Sequence, residues 1–231
     1  VLSDPHDIGV ARVAPSQRVG GGGDALRLAV AAAPEGACLE IDPGSYDGPL
    51  VLRRSLTLVG HVDGVRIDAA GRGAVVTIEG RTNHVELKGL QLVGGRSRAG
   101  GGVVVPDGAW LTMRDCSVSQ CEAPGRGGGG IWARRGELLL ERVRFVGNSG
   151  QTGGAALFTG DVQARLHGCT FEGNRAARAG GAVTVLDRAV VTLQDCDFVG
   201  NEAALPGQGR GDALHVSLSP VAVTPVVLRG G

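Results

Sequence analysis

Apolar and polar residues alternate over short stretches of this chain, and the alternation skips one position before it resumes. Two stretches show this at equivalent positions: Leu138, Leu140, Val143 and Phe145 in one, and Val191, Leu193, Cys196 and Phe198 in the other. Alternation indicates a β-strand with one buried face, and the skipped position indicates a corner. The chain is therefore predicted to form short strands joined by sharp corners.

These stretches belong to a repeat. Its clearest copies are LERVRFVGN at 140–148, LHGCTFEGN at 166–174 and LQDCDFVGN at 193–201, so the three phenylalanines lie 26 and 27 residues apart. Glycine-containing segments at 128–131, 153–156, 180–183 and 211–214 each lead into another apolar run. A fixed period indicates a solenoid in which each repeat forms one turn. Three short strands per turn predict an all-β parallel β-helix.

The composition fits a narrow solenoid. The 41 glycines and 10 prolines supply corners, and aromatic residues at 3% are too few for a conventional large core. Turns upstream of the FxGN copies keep the same apolar spacing: Leu50, Leu52, Leu56 and Leu58, and then Val85, Leu87, Leu90 and Leu92. We expect a single domain over residues 1–231, with about six or seven turns in 38–231.

The two ends of the stack are predicted to differ. Residues 1–37 are expected to hold a strand at Ile8–Val13 and a capping helix at Ala25–Ala33, with Asp24 as the N-cap and Pro34 as the stop signal. The segment 221–231 stops in mid-pattern with no cap of its own. We expect a module excised from a longer chain, or a partner that covers this end, including another copy in a homo-oligomer.

Three columns of equivalent side chains follow from the repeat. Asn tolerates corner conformations and bonds nearby backbone, so its column is either a buried structural ladder or a row of ligand contacts. Phe and Cys are expected to point inward, and Val143 in the Cys column indicates a small apolar slot. The stacking distance of about 4.8 Å favours unpaired thiols over a Cys169–Cys196 disulfide, which is typical of a reducing compartment such as the cytoplasm. The columns contain Asn148, Asn174 and Asn201; Phe145, Phe171 and Phe198; and Cys116, Cys169 and Cys196.

Two stretches resemble the right-handed parallel β-helix superfamily that includes pectate lyases and related carbohydrate-binding and sugar-hydrolase repeat domains. The stretch 25–60, ALRLAVAAAPEGACLEIDPGSYDGPLVLRRSLTLVG, is similar to the N-terminal cap and first turn of that superfamily. The GGAV and FxGN units at 128–201 resemble the noncatalytic repeats of NosD-like, autotransporter and polymorphic outer-membrane passenger domains. The resemblance implies a right-handed helix of bacterial type, and it implies no single activity.

Lyases and hydrolases of that superfamily need clustered carboxylates. The column before the cysteines holds Asp115, Arg142, Gly168 and Asp195, so it builds no carboxylate pair. The remaining candidates for a catalytic cluster lie in the early turns: Asp42, Asp47, Asp63 and Asp68. Asp42 and Asp47 flank a PGxY turn, where acidic residues are also ordinary. The chain is therefore interpreted as noncatalytic, with a carbohydrate-processing domain as the alternative.

The sequence predicts no cofactor and no metal site, because its five histidines share no ligand spacing. The 23 basic and 23 acidic residues balance, and no basic stripe with interleaved aromatics is present, so we expect no nucleic acid as a partner. No membrane-spanning segment is predicted either. Protein or a neighbouring domain is the expected partner, and a glycan is the other possibility.

One outward column of the third strand is the predicted binding surface: Val104, Trp132, Leu157, Thr184 and His215. A stacked apolar patch marks a contact surface when it is exposed. The column is interpreted as a protein or domain contact, as a surface covered by the loop Ala203–Arg210, or as a sugar platform built on Trp132. The resulting hypothesis is a noncatalytic scaffold or binding module.

Overall fold

A computed structural model describes residues 16–60, 64–204, 213–217 and 221–229, the last segment by its backbone alone. It contains one helix, α1 (Ala25–Ala32), and short strands. In chain order the strands are β1 (Ser16–Val19), β2 (Ala37–Ile41), β3 (Gly44–Asp47), β4 (Leu50–Leu52), β5 (Leu56–Val59), β6 (Val65–Asp68), β7 (Val76–Ile78), β8 (His84–Lys88), β9 (Gln91–Val93), β10 (Val103–Val105), β11 (Trp110–Arg114), β12 (Ser117–Ser119), β13 (Glu122–Ala123), β14 (Ile131–Glu141), β15 (Arg144–Val146), β16 (Ser149–Thr152), β17 (Ala156–His167), β18 (Thr170–Glu172), β19 (Arg175–Ala179), β20 (Val183–Leu186), β21 (Val190–Val199), β22 (Glu202–Ala203), β23 (Leu214–Ser217) and β24 (Val221–Arg229).

The strands stack in parallel as a β-solenoid of about seven turns, which confirms the predicted parallel β-helix. The first face contains β1, β2, β5, β8 and β11, then the second halves of β14 and β17 and the first halves of β21 and β24. The second face contains β3, β6, β9, β12, β15 and β18, followed by the second halves of β21 and β24.

The third face contains β4, β7, β10, the first halves of β14 and β17, β20 and β23. Between the second and third faces, β13, β16, β19 and β22 form a separate sheet, which we call the shoulder. β14 and β17 each bend from the third face into the first face of the next turn. The chain therefore repeats one geometric unit from turn to turn.

The skipped positions of the sequence pattern are corners with left-handed backbone. Between the first and second faces, Asp115, Arg142 and Asp195 have φ of 53°, 52° and 53°, and Gly168 has φ of 62°. A second such column precedes the shoulder, with Gln120 at 54° and Gly147 at 61°. Left-handed φ suits Gly best and Asp well, whereas Arg and Gln adopt it only where their surroundings impose it. Stacking on neighbouring turns therefore fixes these corners.

Inward side chains of the three faces form one continuous apolar core. Phe145 and Phe171 stack with ring centroids 5.0 Å apart, and Phe171 and Phe198 stack at 4.7 Å. The rings are within 13° of parallel, because equivalent residues of successive turns occupy the same position. Three of the four phenylalanines thus form a single stack in the narrow tube.

The Asn column forms a buried ladder. Asn148 Nδ2 donates to Val118 O at 2.9 Å and to Asn174 Oδ1 at 3.0 Å, and Asn174 Oδ1 also accepts the Asn148 N–H. Asn174 makes the same pattern of bonds with Asn201 and with Phe145 O. Below Asn148 the ladder position is Cys121, whose N–H donates to Asn148 Oδ1. The Asn side chains therefore provide hydrogen-bond partners for buried backbone groups that no neighbouring strand satisfies.

Helix α1 packs on the first turn. Leu26, Ala29 and Val30 are buried, and the helix contacts β1 to β4. Asp24 is the N-cap residue, as predicted, but its side chain makes no capping hydrogen bond and instead pairs with Arg27 at 2.8 Å. The helix ends before Pro34, as predicted. The expected strand Ile8–Val13 lies outside the described residues.

Asn174→Ala is expected to destabilise the fold, since it leaves the Asn148 N–H and the Phe145 carbonyl without their side-chain partner. The cost is roughly 2–4 kcal/mol in the free energy of unfolding, measured by urea denaturation. Gln163→Ala is the matched control, because Gln163 is exposed, and its effect is expected to stay within about 0.5 kcal/mol. Equal unfolding midpoints for both variants would contradict the ladder's role.

Candidate functional site

The predicted binding column is aligned but largely covered. Val104, Trp132, Leu157, Thr184 and His215 are cross-turn partners on the third face. Val104 is 8% exposed, Leu157 3% and Thr184 0%, whereas Trp132 and His215 are half-buried. The expectation that this column presents an exposed Val, Trp and Leu patch is therefore wrong for its described side chains.

Glycine-rich segments provide the cover. A Cβ added to Gly100 would lie 3.0 Å from Trp132 Cβ, and one added to Gly128 would lie 2.5 Å from Leu157 N. The Thr184 hydroxyl donates to Ala179 O at 3.0 Å, just before the next glycine pair. Since glycine has no side chain, the chain leaving the shoulder folds back closely over the outer side of the third face. The loop proposed as cover falls mostly outside the described residues, which resume at 213 after 204.

The early-turn aspartates do not form one cluster. Asp47 and Asp68 are cross-turn partners at the ends of β3 and β6. Asp42 precedes β3, at the end of the strand opposite to Asp47, and pairs with Arg18 at 2.6 Å. Asp47 faces Arg72 at 3.6 Å, and Asp68 pairs with Arg66 at 2.7 Å. Asp63 lies outside the described residues.

Asp68 has the wrong electrostatics for a general acid. Partial burial opposes ionisation, but the Ala70 N–H bond at 2.8 Å and the Arg66 guanidinium outweigh it and hold the pKa of Asp68 below its usual value. A hydrolase that divides acid and base roles needs one carboxyl with a raised pKa. Asp47 and Asp68 are therefore better described as surface carboxylates, each of which pairs with an arginine.

Ion pairs between turns occupy most of the other carboxylates. Arg114 lies between Glu86 and Glu141, with nitrogen–oxygen distances of 2.5 and 2.6 Å, and Arg142 reaches Asp115 at 2.6 Å. Within the described ranges, Glu137 and Asp197 make no side-chain ion pair or hydrogen bond. Among the same residues, no three His, Cys, Asp or Glu side chains come together to hold a metal ion.

The structure reveals an exposed column on the first face that the sequence interpretation missed. The column holds, in register, His84, Trp110, Glu137, Gln163 and Val190. Trp110 is 47% exposed and Val190 43%, and the His84 and Trp110 rings lie 4.1 Å apart at 56°. Trp110 is the one exposed Phe, Tyr or Trp side chain in the part of the chain that the structure describes. We call these five residues the Trp110 column.

A sequence signal for the Trp110 column exists. Each member directly precedes an inward residue of the first face. Examples are Val85 after His84 and Leu111 after Trp110. The two rings fall in turns without the FxGN motif, so an alignment on that motif does not bring them together. Apolar spacing extended upstream would have placed them in one outward column.

The three thiols of the Cys column and Cys121 of the ladder position are all buried. Burial raises the pKa of Cys116 to about 11 and that of Cys121 to about 12. A side-chain hydrogen bond with Cys196, together with burial, raises the pKa of Cys169. All five cysteines are unpaired, and Cys38 alone is partly exposed. A reactive cysteine needs an accessible thiolate, which these four buried positions do not provide.

Comparison with known proteins adds no family assignment: no protein-family model matches the chain, and no curated protein matches its sequence. The fold defines the class, a parallel β-solenoid. Among the described residues, no helix is long and apolar enough to cross a membrane.

Thiol labelling tests this description of the Cys column. At pH 8 a chromogenic disulfide reagent is expected to react with Cys38 first, because the other four thiols are buried and inaccessible to the reagent. Adding denaturant should release the other four. Labelling of Cys116 in the folded protein at the rate of Cys38 would contradict the buried column.

Proposed function

We propose that this chain is a noncatalytic binding or scaffold module that makes protein or domain contacts through the Trp110 column. The observation that carries the proposal is the exposure of Trp110 in a column that also contains exposed Val190 and the unpaired Glu137. Scattered exposed apolar residues are common and carry little meaning. A column in which an exposed indole contacts a second ring carries more meaning, because Trp is enriched among the residues that dominate the binding energy of protein interfaces.

The state of the polar groups supports a noncatalytic role. Asp42, Asp47 and Asp68 each face an arginine, and the pKa of Asp68 is lowered. The buried thiols offer no nucleophile. Among the described residues, these ion pairs leave no carboxyl poised as an acid beside a second carboxylate as a base.

We also propose that the solenoid is right-handed, that it belongs to the superfamily containing pectate lyases, and that α1 is its N-terminal cap. Crossovers between parallel strands are right-handed in nearly all proteins. The resemblance of residues 25–60 supports the family. The burial of Leu26, Ala29 and Val30 against the first turn supports the cap.

Carbohydrate binding is the second candidate function, and Trp110 again favours it. An exposed indole offers a flat apolar surface to the C–H face of a sugar ring. Glu137 and Gln163, one and two turns away, can accept and donate hydrogen bonds to hydroxyl groups. This site replaces the sugar platform expected at Trp132.

The test places a photo-reactive benzophenone amino acid at position 110 and, as the control, at exposed Leu28 of α1. In an extract of the source cells, a discrete protein adduct is expected at position 110 alone. Trp110→Ala should weaken the affinity of that protein about thirtyfold, the size of a typical hot-spot loss, with no change in melting temperature.

Two other results would count against the protein-contact proposal. Identical adducts at positions 110 and 28, or none at position 110, would contradict it. Selective capture of one glycan on an array, lost in Trp110→Ala but kept in Leu28→Ala, would favour carbohydrate binding.

A further inference from the structure

Some charged side chains of the shoulder have an ion-pair partner, and others have none among the described residues. We define the arginine strip as the outer positions of four successive turns: Arg98, Arg126, Gln151 and Arg178. Gly100 is the cross-turn partner of Gly128, and Thr152 is that of Ala179. The Thr152 N–H donates to Gly127 O at 3.4 Å, which places Gln151 beside Arg126. Successive members therefore lie about 5 Å apart in backbone position.

Arg98 and Arg126 are brought especially close. Gly125 and Gly127 flank Arg126, and a Cβ added to Gly125 would lie 3.0 Å from the carbonyl carbon of Arg98. The two arginines thus stand on backbone segments in direct contact, and both side chains are exposed. Like charges at neighbouring positions of adjacent strands destabilise a sheet.

The neighbouring column of the same shoulder shows how this protein usually balances an arginine. Arg96 pairs with Glu122 of the next turn at 3.0 Å, and Arg175 pairs with Glu202 at 3.2 Å. In the strip, Arg98, Arg126 and Arg178 have no carboxylate partner among the described residues. The strip therefore carries an uncompensated positive charge of three beside a column that is neutralised.

A shallow groove of about 280 Å³ lies on the shoulder, and its lining includes one member of the strip, Gln151. Its floor is made of small side chains and glycine, including Ala123, Gly150 and Ala176. The acidic residue on its rim, Glu122, is held by Arg96. A narrow chain can therefore approach the backbone of the shoulder closely at this groove.

We propose that the shoulder binds an acidic polypeptide segment, which places its carboxylates against Arg98 and Arg126 and its main chain in the groove. Arginine presents a planar fork that matches a carboxylate with two parallel hydrogen bonds. The Gln151 amide can donate to, and accept from, a peptide group in the groove.

The observations favour a peptide over other polyanions. No aromatic side chain is among the described residues that line the groove, so they offer no surface on which a nucleic acid base or a sugar ring could stack. Three arginines also fall short of the roughly 6–10 phosphate contacts typical of nucleic-acid binding. The shoulder is separate from the Trp110 column, so this inference does not rest on the proposed function.

Fluorescence anisotropy tests the proposal with a labelled ten-residue glutamate peptide at low salt, and a ten-residue glutamine peptide serves as the neutral probe. The glutamate peptide is expected to bind and the glutamine peptide is not. Arg98→Gln combined with Arg126→Gln should weaken binding at least tenfold, since it removes both guanidinium groups that would form charged hydrogen bonds with the peptide carboxylates.

The matched control is Arg81→Gln combined with Arg135→Gln, which removes two exposed, unpaired arginines outside the shoulder. It should change the affinity less than twofold, and Trp110→Ala should change it equally little. No binding of the glutamate peptide, or equal losses in the two double variants, would overturn the proposal. Tighter binding of heparin or of a single-stranded oligonucleotide that depends on Arg98 and Arg126 would also overturn it.

Discussion

Each turn of this solenoid buries its apolar side chains only when it lies in register on the turns beside it. The backbone hydrogen bonds of all three faces run between turns, so no turn satisfies its polar groups alone. The Phe stack, the Asn ladder and the left-handed corners are consequences of that register. A shift by one residue would turn the apolar side chains of a strand outward and break all three columns.

The same register organises the surface. Residues one turn apart stand side by side, so carboxylates and arginines such as Glu86, Arg114 and Glu141 form charged ladders across turns. Exposed pairs of this kind add little stability individually, but they leave few ionic groups without partners. Among the described charged groups that the ladders leave unpaired are Glu137, beside Trp110, and Arg98, Arg126 and Arg178 of the arginine strip.

Local repetition made the fold predictable, whereas contacts between distant segments decided which surface is exposed. The FxGN copies placed Phe145, Phe171 and Asn174 correctly because each has equivalents one turn away. The same alternation placed Leu157 and Thr184 outward, but it contains no information on how closely glycine segments fold back over them. Asp24 lies at the N-cap of α1 as expected, but Arg27 in the first helical turn takes up its carboxylate in place of a capping bond. Trp110 was missed because its turn lacks the motif.

Hydrogen exchange of two backbone amides tests the stacking register most directly. The N–H groups of Asn148 and Asn174 donate to amide side chains of the following turn, at 3.0 Å in each case, and not to a strand partner. The account predicts that these amides exchange as slowly as strand amides of the core, and that Asn174→Ala selectively accelerates exchange at Asn148. Exchange at both sites as fast as in an unfolded chain would contradict the ladder and the register on which the surfaces depend.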